Sequence, residues 1–252
     1  MTEDKKKILL IDANSFIHRT FHALPPLTTP EGKPVGAIYG LTNTLLKVLN
    51  DEKPDYVAAA FDTPHKTFRK EMFEKYKAQR PEAPDELKSQ IIEAHNLFDK
   101  FGIKTIEKPG FEADDVLGTL SKKFLNKKHV KTLILTGDLD TLQLVDDDNT
   151  LVLVPQKGVS QMTKYNEEKV KERFGVEPSR LADYKGLVGD SSDNIPGIPG
   201  IGPKTAKKLL SKYKTLEEMY KKLEEEKDSS LEKVVKNKGQ ALLSKKLAII
   251  KK

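Results

Sequence analysis

Through about the first 155 residues, short unbroken apolar runs alternate with stretches in which apolar residues recur every three or four positions. The runs at Ile8 to Ile11, Tyr56 to Phe61, Thr132 to Leu135 and Leu151 to Val154 read as short strands buried on both faces, and a further short strand is expected at Lys104 to Glu107. Between them, helical spacing appears over residues 36–50 (Ile38, Leu41, Leu45, Val48, Leu49), over 84–101 (Leu87, Ile91, Ala94, Leu97, Phe98) and after residue 112 (Val116, Leu117, Leu120, Phe124). The alternation predicts an α/β domain over residues 1–165, with a mainly parallel central sheet flanked by helices. From about residue 166 strand patterns stop, Lys- and Glu-rich helical patterns take over, and Gly and Pro gather between residues 186 and 203. A helical region over 166–252 is expected there, and no internal repeat is evident.

Three of the apolar runs lead into an aspartate: Asp12, Asp62 and Asp138. Parallel strands set their carboxyl ends side by side, and ligands of open α/β sheets bind outside those ends. Three carboxylates converging away from bulk water repel one another and persist only by taking up protons or a cation. More acids fit the same cluster: Glu112, Asp114 and Asp115 at the start of a helix, Asp140 two residues after Asp138, and Asp190 and Asp193 around Ser191-Ser192. Oxygen donors without His or Cys suit Mg²⁺ or Mn²⁺ rather than zinc, and the chain has no cysteine. Taken singly, each acid has a plainer explanation. Asp starts turns and caps helices, residues 112–115 could be a helix-dipole cluster, and Asp190 and Asp193 an Asx turn and a cap. Agreement at three strand ends favours the metal reading.

The 44 Lys and Arg against 38 Asp and Glu give a net charge of +6, although the candidate site alone holds nine acids. The remaining surface is therefore strongly basic, as in a binder of polyanions such as nucleic acid. No apolar run approaches the roughly 20 residues that cross a bilayer. Residues 1–7 lead straight into the first strand without room for a signal peptide, so a cytoplasmic protein is expected.

Two segments supply candidate nucleic-acid contacts. Residues 63–84 carry His65, Lys66, Arg69, Lys70, Lys75, Lys77 and Arg80. On a helix, Arg69, Phe73, Tyr76 and Arg80 would share one face, interleaving rings with guanidinium groups for single-strand binding. The competing reading is an amphipathic helix with Phe73 and Tyr76 turned to the core. Residues 195–206, IPGIPGIGPKTA, combine Gly197, Gly200 and Gly202 with Pro203 and Lys204. They predict a tight hairpin opening a helix, whose N–H groups would accept phosphate, although a plain Gly/Pro connection has the same composition.

Asp12, Phe61-Asp62, Phe68-Arg69, Tyr76-Lys77, Arg80, Glu112-Ala113-Asp114-Asp115, Thr136-Gly137-Asp138-Leu139-Asp140 and Gly189-Asp190-Ser191-Ser192-Asp193-Asn194-Ile195-Pro196-Gly197 together resemble the 5′ nuclease (flap endonuclease) family. The closest likeness is to the amino-terminal 5′-to-3′ exonuclease domains of bacterial DNA polymerases. The resemblance covers nearly the whole chain, in order, with no departure at the acidic positions. It implies a PIN-like sheet domain, a helical arch at about residues 63–95, and a helix-hairpin-helix at about 186–211. It implies two Mg²⁺ ions, with Mn²⁺ able to substitute: Asp12, Asp62, Glu112 and Asp114 at one, and Asp115, Asp138, Asp140, Asp190 and Asp193 at the other, directly or through water. Lys77 and Arg80 would act on the scissile phosphate, with Tyr76 stacking and Arg69 contacting DNA. Gly197, Gly200, Gly202 and Lys204 would grip the duplex, with K⁺ held by carbonyls between Ser191 and Ile201.

The implied substrates are DNA 5′ flaps, nicks and free 5′ ends, cut by a monomer in primer removal and repair. A covalently linked polymerase domain is an expected partner, since the last helical segment stops without a cap. Three alternatives stay open at this point. A PIN-type ribonuclease is disfavoured by the hairpin and by the insertion after Asp62. A non-catalytic DNA-structure-binding module is disfavoured by the complete acid set. An aspartyl phosphatase is disfavoured because Asp12-Ala13-Asn14 lacks a second acid two residues on.

Overall fold

The structure, a computed structural model, describes residues 5–125, 127, 129–156, 161–226 and 231–252. The expected leaderless start at residues 1–4 lies outside them. The chain divides into two compact units, the first comprising the described residues up to His65, Glu82–Asn166 and Lys251–Lys252, the second Lys66–Pro81 and Glu167–Ile250. The basic segment thus belongs with the helical residues.

The first unit holds β1 (Lys6–Asp12), β2 (Tyr56–Phe61), β3 (Lys104–Glu107), β4 (Val130–Leu135), β5 (Thr150–Pro155) and β6 (Met162–Tyr165) in the order β3-β2-β1-β4-β5-β6. The first five strands run parallel and β6 lies antiparallel to β5. Helices α1 (Ala13–Ala23) and α2 (Gly36–Glu52) precede β2. In chain order α3 (Phe68–Met72) falls in the second unit, and α4 (Asp85–Lys100) and α5 (Ala113–Leu125) in the first.

One face of the sheet packs Leu9, Ile11, Phe61 and Leu135 against Phe16, Leu41, Leu45, Leu87 and Phe98. The alternate residues Leu10, Ala60 and Ile134 are equally buried, and α5 lies against their strands. Burial on both faces is why these strands read as unbroken apolar runs, each large side chain contributing roughly 1.5–3 kcal/mol. Two elements differ from expectation. Helix α1 begins at once after β1, capped by Asp12, whose side chain accepts from Ser15 N–H. β6 (sequence MTKY) is too short for its alternation to register.

In the second unit α6 (Glu167–Phe174), α7 (Leu181–Val188), α8 (Pro203–Lys212), α9 (Leu216–Glu226), α10 (Glu232–Lys236) and α11 (Lys238–Ala248) follow α3. Helices α7 and α11 pack together, and buried Asp183 of α7 ties them by pairing with Lys245 at 2.7 Å while accepting from Leu216 N–H at the start of α9 at 2.8 Å. The hairpin between α7 and α8 is packed as its isoleucines suggested, with Ile195 and Ile198 buried. Gly197 adopts φ +59°, and a β-carbon there would collide with the backbone of Gly189. Gly197→Ala combines a left-handed strain with a backbone clash, so it should destabilise the protein by about 2 kcal/mol or more. A denaturation midpoint equal to that of the parent would contradict this packing.

The helical face proposed for the basic segment does not form. Helix α3 ends at Met72, so Arg69, Phe73, Tyr76 and Arg80 share no continuous helical face. Arg69 is 2% exposed and donates to Leu247 O at 2.9 Å and Ile249 O at 2.8 Å. Tyr76 is 3% exposed and packs with Ile195, Leu247 and Ala248. The plainer reading, aromatic rings turned to the core, holds for Tyr76, and neither residue offers the exposed surface that a DNA contact needs.

Candidate metal centre and nucleic-acid interface

Because β2, β1 and β4 are adjacent, their carboxyl ends bring three acids into one neighbourhood: Asp12 closes β1, Asp62 follows β2 directly, and Asp138 stands three residues past β4. Asp12 is 3% exposed, and its carboxyl is pushed up from 3.8 to about 7 by burial, then by the Asp62 and Asp138 charges, against the opposing hydrogen bonds from Thr136 and Ser15. Its Oδ1 accepts from Ser15 N–H at 3.1 Å and its Oδ2 from the Thr136 hydroxyl at 2.7 Å.

Asp62 accepts from Ala113 N–H at 2.7 Å, tying the start of α5, with half-buried Glu112 and Asp114, to the end of β2. Asp138 accepts from Asp140 N–H at 2.9 Å, which sets Asp140 at the start of a 3-10 turn. Asp115 differs from its neighbours. It is 2% exposed, with Oδ2 accepting from Glu112 N–H at 3.1 Å and Oδ1 from Lys251 N–H at 2.8 Å. Both oxygens serve backbone donors, so Asp115 also caps and anchors the helix, and each carboxylate oxygen keeps a further lone pair, as in Asp12.

This donor set fits a hard divalent cation. Burial first, and then the Asp62 and Asp138 charges, raise the Asp12 carboxyl to about 7, and a cation would offset both costs. The Thr63 hydroxyl beside Asp62 is also buried with no protein partner. Among the described residues no three acidic or histidine side chains already close into a ligand cage.

The other two acids lie in the second unit and are engaged by cations. Asp190 pairs with Lys185 at 2.6 Å and accepts from the Ser192 N–H and hydroxyl at 2.8 and 2.6 Å, the Asx-turn geometry. Its carboxyl is held below the usual range by Lys185 and Ser192, which outweigh burial. Asp193 is 5% exposed, with Arg80 at 2.5 Å, Lys77 at 3.8 Å and the Tyr76 hydroxyl at 3.1 Å.

In the hairpin, Gly200, Gly202 and Lys204 are exposed, and Pro203 opens α8 as the composition suggested. Gly197 is buried, its N–H donated to the Ser244 hydroxyl at 3.0 Å and its carbonyl accepting from Gln240 at 2.6 Å. It shapes the hairpin from within, which corrects its assignment as a direct DNA contact.

Sequence reasoning missed the small polar residues that hold the acids. Asn14 accepts from Asp62 N–H at 3.0 Å, Ser15 from Gly137 N–H at 3.1 Å, and Thr136 from Asp138 N–H at 2.9 Å. Their signal was the Ala-Asn-Ser and Thr-Gly-Asp triplets at strand ends, where short hydroxyl and amide side chains bond nearby backbone.

A mainly parallel sheet whose central strand ends carry mutually repelling carboxylates defines an α/β scaffold poised for a divalent metal. The chain belongs to the 5′-3′ exonuclease family: residues 7–175 match that family's N-terminal resolvase-like domain and residues 176–252 its C-terminal SAM fold. It is 47% identical over 245 residues to a DNA polymerase I of Caldicellulosiruptor bescii, covering 97% of this chain and 29% of that protein. A 5′-3′ exonuclease of Aquifex aeolicus is 44% identical over 87% of this chain and 74% of its own length. The chain thus spans under a third of the polymerase relatives and most of the exonuclease. In fold it matches a T5 5′-exonuclease with zinc bound, at a TM-score of 0.76 and 19% identity over 96% of this chain and 89% of that one. The catalytic core of Rad2 in complex with DNA shares the fold at a TM-score of 0.54 and 17% or lower identity.

Proposed function

We propose that this chain hydrolyses DNA phosphodiester bonds next to a 5′ end, cutting 5′ flaps and nicked duplex with two Mg²⁺ ions for which Mn²⁺ can substitute. The observation that carries the reading is the buried, proton-holding Asp12 at the centre of three adjacent strand ends. Asp12, Asp62 and Asp138, with Glu112, Asp114, Asp115 and Asp140, are the residues that would hold metal. When bound, divalent cations supply charge neutralisation at the phosphate and a water activated for in-line attack.

The protein's own groups do the remaining work. Thr136 and Ser15 orient Asp12, and Asn14 and Ala113 orient Asp62. Lys77 and Arg80 neutralise charge developing on the non-bridging oxygens. Gly200, Gly202 and Lys204 at the start of α8 hold the duplex by its backbone, so selection follows DNA shape and not sequence. Asp190 and Asp193, paired with Lys185, Arg80 and Lys77, belong to the same metal reading, directly or through water. K⁺ at the hairpin belongs to the same reading. The carbonyls of Ile195 and Ile198 each accept one backbone hydrogen bond, and every carbonyl oxygen has a second lone pair. A cytoplasmic monomer linked to a polymerase, acting in primer removal and repair, fits the relatives' architecture. Among the described residues no helix is long and apolar enough to cross a membrane.

The test is cleavage of a 5′-labelled flap alongside intact linear duplex. Mg²⁺-dependent cutting near the flap junction, stopped by EDTA, is expected to exceed cutting of intact duplex by at least about tenfold, as shape-based selection requires. Equal cutting of both substrates, or binding without cutting under any divalent metal, would overturn the reading.

A further inference from the structure

Residues 73–80 form neither helix nor strand, yet they carry Lys77 and Arg80, so something other than regular structure must fix where those cations stand. The partner is the loop 191–194, whose base is closed by reciprocal Asp190 and Ile195 backbone bonds of 2.8 Å each. Lys77 N–H donates to Asp193 O at 2.9 Å. Gln79 Nε2 donates to Ser191 O at 2.8 Å and to Ser192 O at 3.1 Å. Asn194 Nδ2 donates to Lys75 O at 2.7 Å. Lys77 and Asn194 are left-handed, at φ +53° and +56°, so each strand of the clasp holds a conformation its neighbours must enforce.

The bonds fall into two classes. Those made by the Lys77 and Arg80 side chains to Asp193 are surrendered when these cations turn to a phosphate. Those made by Gln79, Asn194 and the Lys77 backbone involve no group the reaction uses, and they can persist while the cations act.

We infer that Asn194 and Gln79 are positioning residues that clamp the 73–80 segment so that Lys77 and Arg80 meet the scissile phosphate already ordered. The inference rests on the proposed role of those two cations. Asn194→Gly isolates the amide, because glycine adopts the left-handed backbone without cost. Gln79→Ala, at an exposed position, removes the second arm without touching the core.

The experiment measures single-turnover flap cleavage and DNA affinity for each variant, in the parent and in a Lys77→Ala/Arg80→Ala background, with hydrogen exchange at the Lys77 amide. Asn194→Gly and Gln79→Ala are each expected to slow cleavage about tenfold in the parent, with affinity changed less than about twofold and faster exchange at Lys77, a pre-organisation loss. In the double-variant background the same substitutions should change the rate less than about twofold, since coupled residues are non-additive. Equal slowing in both backgrounds, or faster exchange with an unchanged rate, overturns the clamp while leaving the nuclease reading intact. If Lys77→Ala/Arg80→Ala cuts as fast as the parent, the role of the cations fails, and the clamp fails with it.

Discussion

Asp12→Asn is expected to reduce DNA cleavage by about 1,000-fold or more while raising the melting temperature of the metal-free protein. A loss of that size corresponds to about 4 kcal/mol of transition-state stabilisation, the scale of a metal's contribution to phosphoryl chemistry. The stability gain has a separate origin. Folding buries the Asp12 carboxylate beside Asp62 and Asp138 and raises its pKa from 3.8 to about 7. A group whose folded pKa lies above its unfolded value binds protons on folding, so its penalty is absent below about pH 4 and complete above about pH 7.

Asparagine removes that charge. Its Oδ1 can still accept from Ser15, although the hydroxyl of Thr136 loses its acceptor, at roughly 1 kcal/mol. A net gain of roughly 2 kcal/mol is expected above pH 7, or about 4–8 °C in a chain of this size, shrinking towards zero near pH 4. Mg²⁺ should raise the melting temperature of the parent far more than that of the variant, because a ligand stabilises only the form that binds it. Thermal scans at pH 4 and pH 8, with and without Mg²⁺, decide it. A variant less stable than the parent at pH 8 without metal would show that Asp12 is a structural cap and nothing more.

The central strands were legible because burial on both faces leaves an unbroken apolar signature, and β3 matches its expected residues, Lys104–Glu107, without any fully buried position. The convergence of Asp12, Asp62 and Asp138 followed from the same fact, since parallel order alone aligns strand ends. What was hidden depends on partners distant in sequence. Arg69 looks like a surface cation until Leu247 and Ile249, about 180 residues on, supply carbonyls that satisfy a buried guanidinium. Asp115 reads as one more acid in an acidic run, and the sequence does not show that Lys251 N–H, 136 residues on, binds one of its oxygens. Tyr76 sits among Lys and Arg in sequence and among Ile195, Leu247 and Ala248 in space. Local charge patterns mark where chemistry can occur, but only the tertiary partners show which of those side chains are also buried braces.

Lys77→Ala is expected to slow single-turnover flap cleavage by about 100-fold with DNA affinity nearly unchanged, the signature of a group used mainly in the transition state. Of the two cations it gives the cleaner test. Alanine tolerates φ +53° no worse than lysine does, so the backbone strain at this position is carried over unchanged. The Nζ to Asp193 contact at 3.8 Å is long, and its removal should cost well under about 1 kcal/mol of stability. Arg80 is different, because its guanidinium contacts the buried Asp193 at 2.5 Å, and truncating it leaves that carboxylate with less compensation. A slow Arg80→Ala enzyme could therefore reflect a displaced loop 191–194 rather than lost phosphate neutralisation. A slow Lys77→Ala enzyme with an unaltered melting temperature admits only the catalytic explanation. An unchanged cleavage rate in Lys77→Ala would confine the lysine to pairing with Asp193 and leave Arg80 alone to meet the charge on the phosphate.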